Sequence, residues 1–267
     1  TSSCISRYKK IPTKRFSERK KNTPLINSLI MTKGVHSRMK KLGIIGGLSP
    51  ESTITYYAYL TRKYVNDFGN CSYPEIIIYS VSLEKYHQWR NDGRWDLISD
   101  DLIIAGRALE NAGAEIGLIA TNTMHKVFDQ VQEKLRIPLI NIIDTTINEI
   151  KRKDIISVGL LGTRFTMHDD FFKRKLIMNG INALVPRKEQ QYKIHEIIEN
   201  ELVKNVINNN SKELFKGIIS DLINIGANGI ILGCTEIPLL INQNDVGTPL
   251  FDTAIIHAES AYQKMIE

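Results

Sequence analysis

The feature that most constrains this chain is a stretch that occurs twice. Residues 113–123 read GAEIGLIATNT and residues 226–236 read GANGIILGCTE, and laid over each other without a gap they place Thr121 on Cys234. Two more pairs follow in the same order at nearly the same offset. KLGIIGGLS (41–49) matches SVGLLGTRF (157–165), with Gly43 over Gly159 and Gly46 over Gly162, and IPLIN (137–141) matches TPLFD (248–252). A single match of this kind means little. Three in one order point to a duplicated half of roughly 110 residues.

Each half alternates strand and helix signals. Strands are expected at 41–46, 75–81, 116–120 and 138–143, and again at 155–162, 182–186, 229–233 and 249–252. These runs are short, continuous and rich in β-branched residues, as in strands buried on both faces. The helical patterns at 97–113 and 213–226 repeat apolar residues every three or four positions and stop at Gly113 and Gly226. Such alternation implies an α/β fold with parallel sheets and right-handed crossovers. Two such units facing each other form a cleft, and ligands of these sheets bind beyond the carboxyl ends of the strands.

The chain has 267 residues, 42% of them hydrophobic, enough for one large core or two smaller ones. No run approaches the roughly 20 apolar residues of a membrane-spanning helix. Cys4, Cys71 and Cys234 are too few and too scattered for a disulfide framework or a CxxC metal site, which fits a reducing compartment. The net charge of +6 belongs to residues 1–39, which are crowded with Lys and Arg and hold one acid, Glu18. The body is slightly acidic and gives no sign of a nucleic-acid surface. The basic stretch reads as a disordered extension, with an organelle-targeting peptide, an arm for anionic partners, or an upstream segment before Met31 or Met39 all left open.

The polar motifs lie at strand ends. In GGLSPES, Gly46 and Gly47 allow close backbone approach, and Ser49 reads as an N-cap with Pro50 at the first helical position. Thr166 can cap a helix with Asp169 three residues on. Read blandly, Gly-Gly-x-Ser is only a tight turn, and it lacks both the G-x-G-x-x-G spacing and a P-loop lysine. Cys234 follows three apolar residues and a glycine. It is either a buried structural cysteine or a reactive thiol whose thiolate nearby free N–H groups favour. Asn122 and Thr123 follow Thr121 as Thr235 and Glu236 follow Cys234, and a purely structural position needs no such polar neighbours in both copies.

Taken together, GIIGGLSPEST, ATNTMH, LLGTRFTMHDDF, GCTE and PLFDTAIIHAE resemble the aspartate/glutamate racemase family, in its aspartate and broad amino-acid racemase branch, over residues 40–267. The resemblance implies two Rossmann-like lobes related by a pseudo-twofold, 40–143 with 253–267 and 144–252, and an active site between them. It implies a small amino-acid substrate, no cofactor, no metal, and a cytoplasmic enzyme, expected as a homodimer. In most members two cysteines flank the substrate α-carbon. Here the first is replaced by Thr121, while Gly233-Cys234-Thr235-Glu236 is intact. Catalysis is thus expected from Cys234 and Thr121, and substrate binding from Leu48, Ser49, Asn122, Thr123, Thr163, Lys193, Thr235 and Glu236. An arginine that some relatives carry after the second strand has no clear counterpart, and His87 or Arg90 is a substitute.

A thiol near pKa ~8.5 can be tuned to act as base or acid, whereas a threonine hydroxyl is a poor resting base. The expected asymmetry is abstraction by Cys234 and reprotonation from the Thr121 side, and the family's arrangement implies a preference for L-amino acids. Glu236 either takes a proton or holds the substrate ammonium, and His125 either orients a group or braces its own loop. Trp89 and Trp95 mark a lid or a dimer contact. Two other classes stay open: a single-cysteine decarboxylase or isomerase of a small diacid, and a non-catalytic amino-acid sensor.

Overall fold

The computed structural model describes residues 38–70 and 73–267. Residues 1–37 of the basic extension, with Cys4, lie outside the described residues, as does Cys71. All eight expected strands form. The first half runs β1 (Leu42–Gly46), α1 (Pro50–Phe68), β2 (Ile76–Ser80), α2 (Leu83–Asn91), α3 (Trp95–Asn111), β3 (Ile116–Ile119), α4 (Phe128–Gln132) and β4 (Leu139–Ile140). Helix α5 (Ile142–Arg152) leads into β5 (Ser157–Gly162), α6 (Arg164–His168), α7 (Asp170–Met178), β6 (Asn182–Leu184) and α8 (Lys188–Asn200). Then come α9 (Asn209–Asn224), β7 (Ile230–Gly233), β8 (Leu250–Asp252) and α10 (Thr253–Ile266). Gly113 and Gly226, just past α3 and α9, adopt φ of +93° and +104°, the left-handed turn that glycine permits at lowest cost.

The strands make two four-stranded parallel sheets of the same order, β2-β1-β3-β4 and β6-β5-β7-β8. Side chains alternate across each sheet, so neighbouring residues feed different cores. Ile44 and Leu118 pack under α1 and α10 with Tyr56, Leu60 and Tyr262. Ile45 and Ile119 face α3 with Leu102 and Leu109. In the second sheet, Leu160 and Ile231 meet Ile147 of α5 and Phe172 of α7, while Leu161 and Leu232 meet Ile194 of α8 and Phe215 of α9. Each fully buried Leu, Ile or Phe contributes about 1.5–3 kcal/mol through removal from water. Residues Arg38–Glu267 form one compact unit.

Four local expectations are corrected. β2 is an edge strand, so Ile78 and Tyr79 remain 40% and 39% exposed rather than buried on both faces. β4 stops at Ile140 because Asn141 caps α5, its Oδ1 accepting from the Ile143 and Asp144 amides at 2.9 and 3.3 Å. The cap of α6 is Thr163, which accepts from the Thr166 amide, whereas Thr166 lies inside that helix. Gly47, at φ +78°, is required by its own loop rather than by a ligand, since a Cβ there would meet Val81 O at 2.3 Å. Ser49 does occupy the N-cap of α1 ahead of Pro50, but its buried hydroxyl makes no cap bond.

Candidate active site

The carboxyl ends of β1, β3, β5 and β7 open onto one cleft that encloses about 430 Å³ of atom-free space, part of it continuous with solvent. Leu48, Ser49, Thr121, Asn122, Thr123, Thr163, Cys234 and Glu236 line it. Cys234 of one repeat and Thr121 of the other therefore line the same cavity. Lys193 and Thr235 do not line it. Lys193 is exposed on α8, and Thr235 is buried with its hydroxyl turned onto Glu236.

At the β7 end, the Cys234 thiol donates to Glu236 Oε2 at 3.0 Å, and Thr235 Oγ1 donates to the same oxygen at 2.9 Å. Burial, then the Glu236 carboxylate, pushes the Cys234 thiol well above its ordinary value. The resting group is thus a thiol held against a carboxylate, not the thiolate that a strand end was expected to favour. The turn after it is a single 3₁₀ turn, Ile237–Leu239, too short to outweigh that desolvation.

At the β3 end the support differs. Thr121 is only half-buried, and its hydroxyl makes no hydrogen bond to a described residue. Its carbonyl accepts from His125 Nδ1 at 2.8 Å, while His125 Nε2 accepts from the Ile142 amide at 3.1 Å. Both bonds require the neutral Nδ1–H form, and burial pulls this imidazole well below its ordinary pKa. His125 is therefore a brace for the loop. His257, buried on α10 between Tyr56 Oη and Ile140 O at 2.8 Å each, is brought down by burial to about 4, and His168 lies exposed at the end of α6.

The two ends are tied to each other. Thr253 Oγ1, at the start of α10, donates to Leu232 O of β7 at 2.9 Å and accepts from Asn122 Nδ2 at 2.9 Å. Thr123 Oγ1 lies 3.1 Å from Thr163 Oγ1 of the other half. Trp95 packs edge-on against Phe165 of the second half, ring centres 6.0 Å apart.

Four buried polar atoms of the lining lack a partner: Ser49 Oγ, Asn122 Oδ1, Glu236 Oε1 and Arg90 Nε. Buried polar atoms are ordinarily paired, so an unpaired set converging on one cleft marks where a polar ligand would complete them. Two are acceptors suited to an ammonium, one is a donor suited to a carboxylate, and the serine serves either. Arg90 is 5% exposed, its guanidinium carbon 4.8 Å from the Phe165 ring centre, and its Nη2 donates to Glu199 Oε1 of α8 at 3.2 Å. Sequence patterns left Arg90 as one of two alternatives and missed Glu199. The two are 109 positions apart on different helices, and neither belongs to a repeated motif.

Among known proteins, residues 45–261 match the family model for Asp/Glu/hydantoin racemases. The broad specificity amino-acid racemase of Bacillus subtilis is 23% identical over 222 residues, covering 82% of this chain and 95% of that protein. A Yersinia pestis structure described as a candidate Asp/Glu racemase shares 38% identity with a TM-score of 0.80, covering 86% of this chain and all (100%) of that one. An aspartate racemase homologue from Pyrococcus horikoshii shares 40% identity with a TM-score of 0.76, covering 86% and 100%. The chain belongs to the Asp/Glu/hydantoin racemase family. It is an isomerase of the amino-acid racemase class, built as two similar α/β lobes.

Proposed function

We propose that this protein racemises an acidic amino acid, L-aspartate or L-glutamate, with Cys234 as the base and Thr121 on the opposite side. The carrying observation is that both groups, from equivalent strand ends of a duplicated fold, line one cleft. Glu236 Oε2 receives the thiol proton, and the thiolate so formed takes the substrate α-proton. The Thr121 hydroxyl gives its proton to the carbanion as it takes one from water, and Glu236 returns its proton to solvent. Asn122 Oδ1 and Glu236 Oε1 receive the ammonium. Arg90 takes the side-chain carboxylate, and its positive charge, with that of the bound ammonium, stabilises the developing carbanion.

No pyridoxal-type cofactor is part of this reading: no lysine is among the residues lining the cleft, so none is placed to form a Schiff base there. We assign the lobes to residues 40–143 with 253–267 and to 144–252. We place the enzyme in the cytoplasm, in keeping with the free thiol of Cys234; among the described residues no helix is long and apolar enough to cross a membrane. We read it as a homodimer, supported by the exposed apolar side chains Ile54, Tyr57 and Val65 on α1 and Ile78 and Tyr79 on the open edge of the first sheet.

The test is incubation of L-aspartate and L-glutamate in D₂O with chiral analysis. Racemisation exchanges the α-proton and yields deuterated D-product. Exchange without inversion, or no exchange at all, would refute the reading.

A further inference from the structure

The guanidinium that receives the side-chain carboxylate in this reading already has an anion against it. Glu199 approaches from α8 of the other half. Its carboxylate faces Arg90 Nη2 at 3.2 Å, His87 Nδ1 at 3.5 Å and His195 Nδ1 at 3.9 Å. Glu199, Arg90 and His87 all line the cleft beside Cys234 and Thr121. Arg90 is buried between the two halves and packed on Phe165, so it cannot swing away to follow a ligand. Its Nε stays buried and unpartnered although Nη2 is in use, so the guanidinium is half-occupied. His195 Nδ1 is likewise buried without a hydrogen bond.

These nitrogen atoms outnumber the two oxygens of one carboxylate, which leaves hydrogen-bonding places for a second. Two carboxylates on one guanidinium nevertheless repel each other in a poorly solvated site. We propose that Glu199 sets the charge selectivity of the cleft by competing with a substrate's side-chain carboxylate for Arg90. The inference rests on the proposed binding of an acidic amino acid at Arg90. An acidic substrate enters by pushing Glu199 off Arg90 toward His87 and His195, whose Nδ1 atoms already face it. A neutral amino acid enters with that ion pair intact. The pair thus weakens binding of the substrates that the arginine attracts and keeps the cleft open to uncharged side chains.

The experiment is calorimetric titration of the full chain, wild type and Glu199→Gln, with L-aspartate, L-glutamate, succinate and L-alanine. Succinate carries two carboxylates and no amine, so its binding is independent of turnover. The expected result is that the three acidic ligands bind about tenfold tighter to Glu199→Gln, while L-alanine changes less than twofold. In Arg90→Gln/Glu199→Gln the gain disappears, as a shared partner requires. Glu199→Asp, which keeps the charge and shortens its reach, gives an intermediate gain and guards against a folding defect in Glu199→Gln. An unchanged or reversed ratio of acidic to neutral affinity in the folded variants overturns the proposal, because a purely structural bridge would weaken all four ligands alike. Absence of α-proton exchange in the wild type together with the tenfold gain would refute the racemase reading and leave the charge selectivity standing.

Discussion

The ends of β3 and β7 are copies of one design, and they are held by opposite kinds of chemistry. Behind Cys234 stands a buried carboxylate that accepts a hydrogen bond from the thiol. Behind Thr121 stands a buried neutral imidazole that touches only its backbone carbonyl. One end can change protonation state within its own hydrogen bond. The other can only hold a hydroxyl in place. In the proposed reaction the two halves divide the proton chemistry unequally, which predicts different kcat values for the two directions, with kcat/KM equal in both as an equilibrium constant of one requires.

Removing the sulfur is the most severe way to break this contrast. In Cys234→Ala, kcat for L-substrate and α-proton exchange both fall by roughly 10³-fold, read by deuterium incorporation. Retention of exchange would place the base elsewhere. Next comes the carboxylate. Glu236→Gln lowers kcat at neutral pH by about 10²-fold, since the thiol loses its proton acceptor. The same change removes the charge and hydrogen bond that raise the thiol's pKa, so a pH–rate profile of Glu236→Gln regains activity on the alkaline side. A parallel drop at every pH would argue for a purely structural carboxylate.

Making the halves alike has a smaller effect of opposite sign. Thr121→Cys raises kcat about tenfold in the D-to-L direction and less in the L-to-D direction, with KM shifting so that kcat/KM stays equal for the two enantiomers, as measured by circular dichroism from each enantiomer. An equal change of kcat in both directions would contradict the assignment of faces. The mildest expectation concerns the braces. His257, lowered by burial to about 4, contributes stability that is present above the unfolded imidazole value near 6.5 and lost as pH falls toward 4. That contribution is on the order of 3 kcal/mol, and His125 adds in the same direction. The melting temperature should therefore drop across pH 6.5 to 4, and less steeply in His257→Gln.

Much of this was legible in the order of residues. The duplicated GAEIGLIATNT and GANGIILGCTE aligned Thr121 with Cys234, and the sheets place both at equivalent strand ends. Periodicity found every strand because continuous β-branched runs have few other uses. It overextended β4, where a single capping asparagine outweighed the apolar Ile142 and Ile143 that follow. It also gave no hint of Glu199, because HEIIEN is an ordinary helical face until the other lobe brings Arg90 against it. Lys193, drawn from the same helix by resemblance, is exposed and does not line the cleft. Local chemistry is written locally; pairings across a cleft are not.

The bond pair made by Thr253 has a consequence for engineering. That hydroxyl grips Asn122 beside Thr121 and Leu232 just before Cys234, so the start of α10 holds the two strand ends in registration. Substitutions that shift the start of α10 are expected to alter the spacing of Thr121 and Cys234 before they unfold the chain.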